Sequence, residues 1–316
     1  MRRTLHIGLA VLATSALLVA TAGTSSAAGN AIHQAKINGA HGAHHKGGGG
    51  TLLASHGGSI ERTPVVFIDY WGPQWTAGFS TGGYTSAQAQ TYVQGFFGNV
   101  GGSPWANSTT QYCEGVASGT TTCPSGTTFV TNPAGELAGV WNDKSLVPTK
   151  ISSSAIAAEA VAAAAHFGYN ANADYMIFTP TGHSTSGFKT TYCAYHSSTS
   201  SASGPVSFAN MPYQPDAGAA CGMNFVNANN NAFGNGYFDG FSIVGGHEFA
   251  ETVTDPFPNT GWLDGSGAEN GDKCAWISSG QGAAQNVSLG GNAYAVQSLW
   301  SNAFNSGAGG CVVAYP

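Results

Sequence analysis

Within nine residues, from His247 to Asp255, the stretch GGHEFAETVTDP gathers a histidine and three carboxylates. It does so in a chain whose charged residues make up only 8% of its length. His247, Glu251 and Asp255 are each four apart, so a helix projects them from one face, with Glu248 leaning toward the same side. Gly246, Ala250 and Val253 fall on a different, apolar face, where small residues permit close packing. Asp255-Pro256 stops the helix, which the pattern places over roughly Asp239 to Thr254. The chain must therefore bury one side of this helix and gather a polar edge on the other.

The rest of the chain supplies the core. Hydrophobic residues are 42% and aromatic ones 11%, enough to exclude disorder despite the abundance of Gly and Ser. TPVVFIDYWG (Thr63 to Gly72) and DYMIFTPTG (Asp174 to Gly182) read as buried strands. TSAQAQTYVQGFF reads as a helix, with Thr85 and Gln88 as a capping box and Tyr92, Val93, Phe96 and Phe97 at helical spacing. SSSAIAAEAVAAAAHFGYN reads as another, from serine caps to Gly168. The order strand, helix, helix, strand predicts a mixed α/β domain, single over residues 61–316. Thr185 to Asn235, rich in Ser, Gly, Asn and Pro, reads as loops, and YAVQSLW and CVVAY as short strands or irregular packing.

Two arginines, an apolar run and small residues at the start predict a secretion signal over residues 1–28, cleaved after Ala27 or Ala28. No later run is long enough to span a bilayer, so an extracellular, unanchored protein is expected. Without Arg2 and Arg3, basic residues fall from 9 to 7 against 15 acidic ones, which excludes nucleic acid and anionic membrane as natural partners. Residues 29–60 are glycine-diluted and read as a flexible arm or pro-segment, whose His33, His41, His44, His45 and His56 could bind metal loosely.

Six cysteines in an exported chain imply disulfides. Nearest-neighbour pairing gives Cys113–Cys123, Cys193–Cys221 and Cys274–Cys311. No two cysteines lie at zinc-knuckle spacing.

The chemistry concentrates on the GGHEFAETVTDP helix. Its pattern resembles the zincin helix, in which one histidine and the residue a turn later hold a metal while the adjacent glutamate takes a proton from water. Here the second histidine is replaced by Glu251. WLDGSGAENGDKCAW supplies Glu269 as third ligand, at a separation similar to that in thermolysin-like enzymes, and Asp272 as a supporting carboxylate. Asp255 is the rival ligand, or a turn residue. More carboxylate ligands lower the metal's Lewis acidity and widen the choice from Zn²⁺ to Mn²⁺ or Ca²⁺. The bland alternative is a solvated acidic helix face.

Other residues compete for roles. Ser184, in TGHSTSG, invites a serine-hydrolase reading, but Ser186 stands where a nucleophile elbow needs glycine. His183 could donate to a transition state or ligate metal. His196, in TYCAYHSS, reads as a packed histidine or as the missing nitrogen ligand. His166 ends the alanine helix, where its charge suits the dipole.

PVVFIDYWGPQW, GSPWANSTTQYC, YCAYHS and HEFAETVTDPFPNTGWLDGSGAENGDKCAW together make the chain similar to bacterial secreted members of the EXORDIUM/phosphate-induced protein 1 group. The resemblance spans about Val65 to Trp276 and implies secretion and a shared fold more than a reaction. The expectation is a secreted α/β domain with a zincin-like helix, in which His247, Glu251 and Glu269 hold zinc. Glu248 would be general base, and His183 or His196 would stabilise the oxyanion in hydrolysis of a peptide or protein substrate. The competing expectation is a non-catalytic extracellular binding or signalling protein whose metal or carboxylate cluster only staples the fold.

Overall fold

A computed structural model describes Met1 and residues 31–38, 51–228, 233 and 235–315. The predicted secretion signal beyond Met1, and His41, His44 and His45, lie outside the described residues. Six strands form the main sheet: Ile32–Lys36 (β1), Val65–Tyr70 (β2), Leu137–Trp141 (β3), Ala173–Phe178 (β4), Tyr192–Ser201 (β5) and Gly204–Met211 (β6). Their order is β1-β5-β6-β4-β2-β3. β6, β4, β2 and β3 run parallel, β5 is antiparallel to β6, and β1 is antiparallel to β5.

The sheet is covered on both sides, as its parallel part requires. All six residues of β4 are buried. Tyr175 stacks on Phe67, which stacks on Phe167 of the helix Ser153–Phe167; Phe178 points the other way, to Phe97 and Phe241. One face therefore carries that helix and the other carries Ser86–Val100 and Asn235–Thr254. In chain order these three helices are α1 (Ser86–Val100), α2 (Ser153–Phe167) and α3 (Asn235–Thr254). The capping box at Thr85 and Gln88 and the Ser152 cap form as the sequence predicts. So do all three nearest-neighbour disulfides. Among the described residues, no helix is long and apolar enough to cross a membrane.

α3 departs from its expected amphipathic placement. The hairpin Gln285–Leu289 (β7) and Asn292–Val296 (β8) lies against it on the side away from the sheet. Leu299–Ser301 (β9) and Gly310–Val312 (β10) then complete the C-terminal region. The helix is buried on all sides, so its acidic edge faces protein rather than an open cleft. Glycine makes this possible: a Cβ at Gly240 would stand 2.1 Å from the Cys221 carbonyl oxygen, and one at Gly246 3.1 Å from Trp105.

Two expectations are corrected here. Thr185 to Asn235 is not a run of loops, since it holds β5 and β6, the two longest strands. The serine-rich end of β5, SSTSS, carries little strand propensity, and sheet pairing overrides it. Residues 31–38 and 51–60 are not a free arm: β1 is hydrogen-bonded into the sheet, and Ala54–Ser55 pairs with Trp262–Leu263.

Candidate metal centre

α3 presents His247, Glu248 and Glu251 toward β5 and the loop between Trp262 and Trp276. That loop is pinned from several sides. Lys273 Nζ pairs with Asp264 Oδ2 at 2.7 Å and lies 4.2 Å from the Trp300 ring centre. Asn270 Nδ2 donates to the Ala250 carbonyl, Gln297 Nε2 donates to the Gly271 carbonyl, and Cys274 is tied to Cys311. Gly271 lets the loop approach, because a Cβ there would be 2.9 Å from His247 Nδ1 and 3.0 Å from Glu251 Oε1.

Glu269 and Asp272 are thereby delivered to α3, and His196 arrives from β5. His196 Nε2 lies 2.8 Å from Glu269 Oε2 and 3.6 Å from Glu251 Oε2. His247 Nε2 lies 3.0 Å from Glu251 Oε1 and 3.8 Å from Asp272 Oδ1. Ligand atoms fall within 4.8 Å of one another in three overlapping groups: His33, His196 and Glu269; His33, Glu251 and Asp272; His196, Glu248 and Glu251. Of the expected trio, Glu251 and Glu269 fall in different groups and His247 in none of them; His247 adjoins the cluster through its 3.0 Å contact with Glu251 Oε1. His196 joins as the additional nitrogen donor.

His33, read in sequence as one of several arm histidines that could bind metal loosely, is placed in the cluster itself. Its Nδ1 is 2.5 Å from Glu269 Oε2 and its Nε2 is 2.5 Å from Asp272 Oδ2. Its glycine-diluted neighbourhood gives no strand signal, and only the β1–β5 register reveals it.

The cluster is dry. His196, His247, Glu248, Glu251 and Glu269 are at most 1% exposed. Yet His247 Nε2, His196 Nδ1, Glu248 Oε2, Glu251 Oε2, Glu269 Oε1 and Asp272 Oδ1 have no aligned hydrogen-bond partner. Gln297 sharpens the point. Its amide nitrogen donates to two carbonyls, so its oxygen faces His247 Nδ1 at 3.1 Å and takes that N–H. A neutral imidazole would turn its Nε2 lone pair toward Glu251 Oε1, 3.0 Å away, whereas a protonated one donates to it. Buried lone pairs facing one another need a proton or a cation between them.

Protonation follows the same logic. Burial opposes charge on His247, but the nearby Glu251, Glu248 and Asp272 outweigh it and raise its pKa to about 10. Burial lowers His196 to about 4, leaving a neutral ligand. Burial, reinforced by Glu251, pushes the Glu248 carboxyl well above its usual range. Glu251 and Glu269 are raised, burial being the main cause. Asp272 is lowered, because His33 outweighs the burial that opposes its charge.

The remaining candidates sit elsewhere. Asp255 is beside the cluster, but its carboxylate accepts from the backbone N–H groups of Asn259, Thr260 and Gly261, the turn role foreseen as its alternative. His183 contacts Gln74 Nε2 and the Thr181 carbonyl, neither of which belongs to the cluster, so an oxyanion role for it finds no geometric support. Ser184 begins a short strand paired with Lys150–Ile151, not a strand-to-helix turn. Comparison of the chain with protein-family models, curated proteins and solved structures finds no match.

Proposed function

We propose that this protein is a secreted metal-dependent hydrolase, with zinc held by the cluster and peptide bonds as its substrate. What carries the reading is the set of buried ligand atoms without hydrogen-bond partners, His247 Nε2, Glu248 Oε2, Glu251 Oε2 and Glu269 Oε1 among them. Two or three imidazoles with carboxylates suit zinc, and the oxygen-rich set admits Mn²⁺ or Ca²⁺. When bound, such a cation polarises a carbonyl and acidifies water. His247, Glu251, His196 and Glu269 would hold it. Glu248, whose Oε2 has no hydrogen-bond partner, would take the proton of an attacking water when ionised. Gln297 keeps His247 in the tautomer that leaves Nε2 available. Three disulfides fit an extracellular setting.

A second reading is favoured by the sealing of the cluster. Its members join β1, β5, α3 and the Trp262–Trp276 loop, so a bound cation would also cross-link the fold, as expected of a non-catalytic EXORDIUM-like binding protein.

Metal content, and casein hydrolysis before and after chelation, separate the two. Turnover lost on chelation, and absent in Glu248→Gln with metal retained, supports the hydrolase. Stoichiometric metal with no turnover in either the intact chain or one opened at β1 (see below) leaves the stapling role.

A further inference from the structure

β1 lies across the metal centre as a bound peptide would. It pairs antiparallel with β5, setting Ile32 opposite Ser197, His33 opposite His196, Gln34 opposite Tyr195 and Ala35 opposite Ala194. The Ala35 N–H points to Glu248 Oε1 at 3.3 Å. His33 reaches into the cluster and bridges Glu269 and Asp272. Beyond it, the Lys36 carbonyl accepts from Trp276 Nε1 at 2.7 Å, and the Asn38 N–H donates to the Ala220 carbonyl.

This strand is held by polar contacts and buries little apolar surface. Ala35 is its single buried residue, whereas every residue of β4 is buried. Displacing it breaks the ladder hydrogen bonds and the His33 contacts with Glu269 and Asp272, and exposes little apolar area. Of the cluster residues, the partly exposed ones are His33 and Asp272, with side chains 14% and 10% exposed. The cluster therefore meets solvent where β1 and the Trp262–Trp276 loop adjoin, at the His33–Asp272 contact. With β1 lifted, β5 becomes a sheet edge whose unpaired backbone groups face the metal centre.

We propose that the β5 edge, Tyr192–Ser201, is a binding site for extended peptides, which dock antiparallel with one side chain directed at His196. Residues 31–38 occupy that site in the intact chain and keep it closed. The proposal rests on the metal-centre reading, and names extended polypeptide as the ligand class and strand displacement as the control.

The test uses the full chain and a fluorescent peptide of residues 30–38, followed by anisotropy in the presence of zinc. Ala35→Asp sets a carboxylate against Glu248 and expels the chain's own strand; Ala35→Pro removes the N–H. Both opened chains should capture the peptide, and the native chain should not. Replacing the peptide's histidine by alanine should weaken capture about tenfold or more. Hydrogen exchange should place the peptide on Tyr192–Ser201. A folded Ala35→Asp chain that captures nothing overturns the proposal. Should both variants fail to fold, exchange in the native chain decides. β1 amides must open far more readily than those of β4, and equal protection refutes the inference. Casein turnover is read separately. Capture without turnover keeps the peptide site and removes the hydrolase, while turnover without capture does the reverse.

Discussion

His33 and His196 stand directly opposite each other on antiparallel strands, their rings 5.6 Å apart and within 11° of parallel. One comes from the first described strand and the other from the sheet's longest. Both contact Glu269 Oε2, so the edge strand is part of the centre it covers.

Gln297 is the residue through which His247 is held in one tautomer. Gln297→Leu keeps the volume and removes the acceptor. Zinc affinity, measured by competition with a chromogenic chelator, should fall about 10- to 100-fold, while the fold survives. Unchanged affinity would mean that His247 does not ligate through Nε2.

Gly271 has ordinary helical dihedrals, φ −75° and ψ −46°, so alanine there meets no backbone strain. Its methyl would nevertheless meet His247 and Glu251 at about van der Waals overlap. Gly271→Ala should push the loop away from α3 and lower zinc affinity by about tenfold or more, at a stability cost of about 1–3 kcal/mol. Metal titration beside a urea melt reads both effects.

Lys273 and Asp264 form a pair that is nearly fully buried, and Lys273 holds the Asp264 carboxyl down to about 2 against the burial that would raise it. Lys273→Met leaves that carboxylate alone. The expected loss is about 3–5 kcal/mol, and Lys273→Met with Asp264→Leu should recover part of it. Chemical denaturation of the four proteins in the cycle measures the coupling.

Asp174 and Glu136 lie outside the metal centre, and burial raises them from 3.8 and 4.5 to about 8 each. Folding therefore favours their protonated forms. Their contribution to stability is fully present below the ordinary carboxyl range and is lost as pH rises to about 8, by roughly 1.4 kcal/mol per unit per group. Metal-free protein should melt at a lower temperature at pH 8 than at pH 5. Asp174→Asn and Glu136→Gln should each flatten that slope, and a slope unchanged in both variants would contradict the assignment.

Local order told the sequence reading a good deal. The spacing of His247 and Glu251 by four puts them on one face of any helix that holds them, because 3.6 residues complete a turn. The caps at Thr85 and Ser152, and disulfides between neighbouring cysteines, are likewise short-range choices that the chain carries within a few dozen residues. Tertiary structure decided what those residues face. β5 and the Trp262–Trp276 loop buried an edge that reads as lining a cleft, and the β1–β5 register brought His33 to Asp272 from 239 residues away. Strand pairing depends on backbone hydrogen bonds that any sequence can make. A Gly- and His-rich segment therefore gives no local sign of the partner it will find.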